Sequence, residues 1–119
     1  MKAYTDIEQS KRLAEFLPFE SADCHYIVQH EQSYFYGYSL PKSTANTYNS
    51  IIKYIPCWSL TALLSIISIE HNLHGYLTEN GMVYRVETLY AGNSKSYDNP
   101  VDACYELIIK IHNGETRSN

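Results

Sequence analysis

The sequence predicts an α+β fold, with three helices packed on a small antiparallel sheet of about four strands in the order α-β-β-α-β-β-α. Two segments, residues 24–29 and 34–38, alternate apolar and polar residues as strands do. Asn80-Gly81, the preferred hairpin turn, separates two further strand-like segments. Three other segments carry helix signals. A length of 119 residues predicts one domain spanning residues 1–119.

The first predicted helix begins at a capping box formed by Thr5 and Glu8. Ile7 and Leu13 belong to its apolar side, and Pro18 ends it. This pattern is typical of a surface helix with one buried face.

The next two elements are predicted to be strands, because apolar side chains alternate along them. Residues 24–29 form the first strand, and the second carries Tyr34, Tyr36 and Tyr38 on one predicted face. Residues 41–50 are polar and unpatterned, so we expect them to form the main loop.

The second predicted helix begins at Ser59, a favourable N-cap. Trp58 precedes that cap and could pack on Leu63 as a hydrophobic staple. Because the helix is apolar nearly all round, we expect it to be the central core helix.

The Asn80-Gly81 turn would pair Leu77 with Tyr84 across a hairpin. The side chains predicted to face the helices are Leu77, Met82, Tyr84 and Val86. Those predicted on the outer face are Tyr76, Thr78, Arg85 and Glu87.

The third predicted helix has the most complete set of signals. Asn99 is a suitable cap, Pro100 suits the first helical position, and Asp102 meets the positive end of the helix dipole. Gly114 suits the left-handed conformation that ends a helix.

Composition narrows the class of protein. A net charge of −4 gives no reason to expect nucleic acid or an anionic membrane as a partner. No apolar stretch resembles a signal peptide or a membrane span, so we expect a soluble, cytoplasmic protein. Cys24, Cys57 and Cys104 lie far apart without CxxC spacing, and we expect three buried, reduced thiols.

Four blocks of the chain, residues 7–13 (IEQSKRL), 20–23 (ESAD), 56–64 (PCWSLTALL) and 98–103 (DNPVDA), resemble a family of small uncharacterised proteins. That family is associated with gut bacteroidetes, their phages and mobile elements. The resemblance leaves residues 30–54 unmatched. It implies a genomic setting and no activity, cofactor or catalytic residue.

Tyrosine is the best candidate for a binding residue, because the chain has 12 of them. Tyrosine gives a large contact area at low entropic cost and adds a hydroxyl group for a polar partner. The alternative is that tyrosines fill a half-buried sheet, as β-propensity favours. We therefore expect an interaction protein without a cofactor, whose partner is another protein or a second copy. The predicted binding residues are Tyr34, Tyr36, Tyr38, Tyr48 and Tyr54, with the 41–50 loop.

Three other functions stay open. Cys57 precedes a helix start, so with a nearby histidine it could serve as the nucleophile of a small enzyme. The family that the chain resembles has a small apolar residue there, which counts against this role. His71 and His74, with residues 24–25, could supply zinc ligands, although we expect loop histidines and no metal. A structural or self-associating protein would hide its tyrosines in an interface between copies.

Overall fold

The structure, a computed structural model, describes residues 2–38, 52–67, 69–89 and 92–114. Within these ranges no helix is long and apolar enough to cross a bilayer. The described helices are α1 (Ile7–Ala14), α2 (Leu60–Ile66) and α3 (Pro100–His112), with a short 3₁₀ turn at Phe19–Ser21. The described strands are β1 (Cys24–Gln29), β2 (Gln32–Gly37), β3 (Ile52–Cys57), β4 (His71–Thr78) and β5 (Gly81–Thr88). The α+β class and the three helices are confirmed.

The prediction of one sheet with about four strands is wrong. The described strands form a three-stranded antiparallel sheet, β2-β1-β3, and a separate antiparallel hairpin, β4-β5. The strand that the sequence did not reveal is β3, because it contains Pro56. Proline lacks the N–H group that a central strand needs, but a strand with one neighbour tolerates it. The observed order is α-β-β-β-α-β-β-α.

The chain divides into two compact units. The N-terminal unit is Tyr4–Ala62, and the C-terminal unit is Leu63–Asn119 with Met1–Ala3. The single-domain prediction for residues 1–119 stays a prediction.

Helix α1 begins one residue later than predicted. Its N-cap is Asp6, whose Oδ1 accepts a hydrogen bond from the Gln9 backbone N–H at 2.8 Å. Gln9 Oε1 in turn accepts from the Asp6 backbone N–H at 3.1 Å, which completes a capping box. The predicted box of Thr5 and Glu8 is therefore wrong by one position, since Thr5 has different partners.

Thr5 is fully buried and links α1 to the end of β3. Its N–H donates to the Trp58 carbonyl at 2.9 Å, and its Oγ1 accepts from the Trp58 N–H at 3.1 Å. Its carbonyl accepts from Tyr26 Oη at 2.7 Å, and its hydroxyl lies 2.8 Å from Ser10 Oγ. Trp58, also fully buried, donates its indole N–H to Ser21 Oγ at 3.0 Å. These contacts pair the N–H, the carbonyl and the hydroxyl group of the buried Thr5.

Helix α1 packs on one face of the three-stranded sheet. Tyr26, Phe35 and Ile55, one from each strand, meet Ile7 of α1 and the ring of Tyr4 on this face. Tyr4 stacks on Phe35 with ring centroids 3.9 Å apart and an interplanar angle of 16°. We call this the inner face of the sheet.

The predicted cap of α2 is confirmed. Ser59 Oγ accepts from the Ala62 backbone N–H at 3.2 Å, and the Asp23 carboxylate accepts from the Ser59 N–H at 2.9 Å. Ala62 and Leu63 are buried, whereas Thr61 is exposed.

The β4-β5 hairpin turns one residue earlier than predicted. Glu79 and Asn80 form the turn, and Gly81, with a φ of 112°, already belongs to β5. Neither turn residue has the positive φ that a type I′ turn requires. Leu77 therefore faces Met82 across the strands, and the predicted pairing is wrong.

The predicted faces of the hairpin survive this change of register. Met82, Tyr84 and Val86 alternate along β5 on the same face as Leu77. Val86 is fully buried in the part of the unit where β5 packs against α3. Leu77, near the turn, is 81% exposed, so only the base of this face meets a helix.

Helix α3 has the predicted start and stop. Asn99 Oδ1 accepts from the Asp102 N–H at 2.8 Å, Pro100 is the first helical residue, and Gly114 has a φ of 75°. Lys2 Nζ bonds Asp102 Oδ1 at 2.7 Å. The fully or almost fully buried residues of the helix include Val101, Cys104, Leu107 and Ile108.

Replacing Thr5 with valine tests the link between α1 and β3. Valine keeps the shape but removes Oγ1, so the buried Trp58 N–H loses its acceptor. We expect the free energy of unfolding to fall by ~1–3 kcal/mol, the cost of an unpaired buried polar group. A urea titration monitored by circular dichroism measures this free energy of unfolding. The exposed Ser33→Ala is the control, with an expected change within about 0.5 kcal/mol. Equal effects of both substitutions would contradict the assignment.

The β1-β2 turn offers a stabilising substitution. His30 and Glu31 form it with φ values of 52° and 65°, a left-handed conformation that costs a non-glycine residue roughly 1–2 kcal/mol. Glu31→Gly relieves this cost, partly offset by the greater freedom of glycine in the unfolded chain. We expect a net gain of about 0.5–1 kcal/mol, measured by thermal unfolding. The control Glu15→Gly, at a φ of −67°, should not stabilise the protein. A loss of stability in Glu31→Gly equal to that in Glu15→Gly would contradict the turn geometry.

Candidate functional site

Two tyrosines of β2 are exposed on the sheet face opposite α1. Phe35 points to the inner face, so its neighbours Tyr34 and Tyr36 point to the other one. Their exposed fractions are 54% and 66%. Both rings are thus open to contact, and the Tyr34 hydroxyl donates a hydrogen bond to Gln32 Oε1.

The same face carries a histidine of the central strand, with a tyrosine on each side of it. The His25 ring lies between Tyr36 and Tyr54, with centroid distances of 5.0 and 5.3 Å, and it is only 3% exposed. On the same face Ile27 stands opposite Tyr34 of β2 and opposite Tyr54 of β3. We call these five side chains the tyrosine face.

Tyr38 does not share this face, and the prediction that it does is wrong. The register between β1 and β2 slips by one residue between His25 and Tyr26, which leaves Tyr36 without a partner as a β-bulge. The extra residue reverses the alternation beyond it. The Tyr38 ring therefore lies 5.3 Å from Phe35, on the inner side, although 60% of the residue is exposed.

Of the other two predicted binding residues, the structure describes Tyr54 but not Tyr48. Tyr54 is half-buried in β3 and belongs to the tyrosine face. Tyr48 and the 41–50 loop lie outside the described residues. Three of the five predicted tyrosines, on two strands, therefore share one sheet face, and two of them flank His25.

Cys57 is fully buried and directly opposite Cys24 in the β1-β3 pair. The two Sγ atoms are 2.7 Å apart, and both residues belong to the inner-face cluster with Tyr26. His25, the next residue after Cys24, points to the other face. The hydrogen bond with Cys57, followed by burial, raises the pKa of the Cys24 thiol. Cys57, the nucleophile expected for a cysteine-dependent enzyme, is therefore inaccessible to a substrate in this arrangement.

A polar cluster that the sequence did not reveal lies on the outer face of the β4-β5 hairpin. Glu87 is its centre, because its carboxylate bonds the Arg85 guanidinium, Tyr76 Oη at 3.1 Å and His74 Nε2 at 2.9 Å. Arg85 also donates to Tyr76 Oη at 3.1 Å and lies over that ring. The hydrogen bond from Arg85 is the main cause that lowers the pKa of Glu87. These contacts join side chains of β4 to side chains of β5 on one face of the hairpin.

The two histidines considered as zinc ligands belong to a strand, and the loop prediction for them is wrong. His71 and His74 are three residues apart in β4 and therefore point to opposite faces. His71 Nδ1 lies 2.8 Å from the Ile69 carbonyl oxygen, while His74 pairs with Glu87. Within the part of the chain that the structure describes, no three His, Cys, Asp or Glu side chains form a metal-binding group.

Comparisons of the chain with models of protein families, with curated proteins and with solved structures gave no match.

Arg85→Gln tests the electrostatics of the polar cluster. Without the guanidinium the Glu87 carboxylate loses its strongest partner, so its pKa should rise toward the ordinary value for glutamate. A depressed pKa stabilises the fold above the unfolded-state pKa, and this contribution is lost as the pH falls through the folded-state pKa. The acid side of the stability profile should therefore flatten in Arg85→Gln. Carbon-detected NMR titration of Glu87 measures the shift, with Lys11→Gln as control. An unchanged Glu87 pKa would contradict the assignment.

Proposed function

We propose that this chain is a non-enzymatic accessory protein that binds a protein partner through the tyrosine face. The observation that carries the proposal is the exposure of Tyr34 and Tyr36, at 54% and 66%, side by side on an ordered strand. Binding surfaces are rich in tyrosine because its ring buries much apolar area and its hydroxyl group bonds a polar partner.

The neighbouring side chains favour a preorganised surface. Tyr36 and Tyr54 hold the His25 ring between them, and Ile27 lies opposite Tyr34 on one side and opposite Tyr54 on the other. Side chains that are already packed lose less conformational entropy when a partner binds, so more of the contact energy becomes affinity. A partner needs an apolar surface with hydrogen-bond acceptors and donors to match such a face.

Binding through side chains fits this sheet better than addition of a strand to its edge. Strand β2 has β1 as its only neighbour among the described strands, so its other edge resembles those used for strand addition. However, the bulge at Tyr36 interrupts the regular backbone pattern of β2. Bulges commonly prevent another strand from pairing with the edge of a sheet. The tyrosine face is therefore the better surface for binding a partner.

Charge favours a protein over a nucleic acid as the partner. Stacking of bases on tyrosines needs a cationic groove as well, and the chain has a net charge of −4. In this proposal Tyr48 and the 41–50 loop add to the contact, and the protein is cytoplasmic. An origin in a phage or mobile element follows from the resemblance of the four sequence blocks.

The double substitution Tyr34→Ala/Tyr36→Ala tests this function. A photo-crosslinking amino acid at position 36 captures the partner in expressing cells, and position 76 serves as the site control because Tyr76 is also exposed. Calorimetry with the purified partner then compares variants. We expect at least a tenfold loss of affinity for the double variant, typical of interface anchors, and little change for Tyr76→Ala. Circular dichroism should show that both variants remain folded.

Two results would contradict the proposal. Equal affinity of the wild type and the double variant would place the contact elsewhere on the chain. Sedimentation velocity supplies the second test: a dimer that dissociates in Tyr34→Ala/Tyr36→Ala would make the tyrosine face an interface between copies, not a site for another protein.

A further inference from the structure

We propose that Cys24 and Cys57 are a dithiol–disulfide pair, oxidised by exchange with a small-molecule disulfide such as oxidised glutathione. The two residues lie directly opposite each other on neighbouring antiparallel strands. Their Sγ atoms are 2.7 Å apart, in contact but not bonded, since a disulfide bond is about 2.05 Å long. This site is separate from the tyrosine face and does not depend on its function.

The backbone geometry of the sheet suits a cross-link. Directly opposed residues of antiparallel strands have Cα atoms about 4.5–5.5 Å apart. Disulfides span Cα separations of about 4.4–6.8 Å. Cys24 and Cys57 therefore need side-chain rotation and little backbone movement to bond. Both side chains occupy the inner-face cluster, where α1 packs on the sheet and limits their motion.

Oxidation requires a transient opening, because both thiols are fully buried. Cys57 is the last residue of β3, and among the described strands β3 pairs with β1 alone. Separation of this strand end exposes both sulfurs without unfolding the whole unit. The rate of oxidation is therefore limited by opening of the β1-β3 pair.

The chemistry is two successive thiol–disulfide exchanges. The Cys57 thiol loses its proton to water, and the thiolate attacks one sulfur of oxidised glutathione. One glutathione thiolate leaves and takes up a proton. The Cys24 thiolate, formed in the same way, attacks Cys57 Sγ, and the second glutathione leaves and is protonated. Two protein thiols are oxidised and one small disulfide is reduced to two thiols.

Cys104 provides the matched control. It is fully buried in α3, outside the three-stranded sheet, and burial raises its pKa to about 12. It lies on a helix with neither Cys24 nor Cys57 opposite it, so it does not contribute to the cross-strand pair. A reducing cytoplasm would keep Cys24 and Cys57 as thiols, and a rise in oxidised glutathione would convert them.

The experiment equilibrates the full chain with mixtures of reduced and oxidised glutathione, followed by acid quenching and mass spectrometry. The three cysteines fall in different tryptic peptides, residues 13–42, 54–85 and 96–110. We expect loss of two hydrogen atoms and a cross-link between the first two peptides, in the wild type and in Cys104→Ala. Cys24→Ala and Cys57→Ala should lack it. The cross-link should raise the melting temperature by on the order of 10 °C, and dithiothreitol should reverse this.

Three results would overturn the proposal. The first is that all cysteines remain free thiols at equilibrium in excess oxidised glutathione. The second is that mixed disulfides form without an internal cross-link, and the third is a cross-link that contains Cys104. The incubation is repeated in mild urea, so that slow opening cannot hide the reaction. If Cys24→Ala or Cys57→Ala fails to fold, the peptide map of the wild type decides the question.

Discussion

The N-terminal unit depends on the buried hydrogen bonds between Thr5 and Trp58. Buried backbone groups must be paired, and these bonds pair both residues at a point where neither belongs to a helix or strand. They attach the segment that begins α1 to the segment that ends β3. These bonds thereby hold α1 against the inner face of the sheet, where Cys24 and Cys57 are buried.

Because α1 covers one face of the three-stranded sheet, the two faces carry different kinds of side chain. The inner face holds an apolar cluster and two thiols in contact. The other face carries tyrosines, two of which are exposed. Cys24 and His25 are consecutive residues of β1, yet one belongs to each face, because side chains alternate along a strand. A single strand therefore contributes to the proposed binding surface and to the proposed disulfide.

The successful predictions concern signals that act within a few residues. Asn99, Pro100 and Gly114 mark α3 because cap and stop residues act on the nearest helical turn. The limits of β1 and the cap of α2 follow in the same way. The failures involve partners distant in sequence. Thr5 has the chemistry of an N-cap, but Trp58 occupies its hydrogen-bonding groups. Strand β3 was missed because Pro56 is tolerated only where a strand has one neighbour.

The same distinction between local and distant signals applies to the residues of the candidate site. Composition and alternation were sufficient to single out Tyr34 and Tyr36, since the period of two is a local property of a strand. Strand register decided three other features of the site. It places the bulge that turns Tyr38 to the inner face, and it packs Tyr54 against His25. It also brings Cys24 opposite Cys57. Register depends on how whole strands pair, and no short stretch of sequence specifies it. Local signals thus determined the three helices and the tyrosine-rich strand, whereas tertiary pairing decided which side chains of the candidate site lie together.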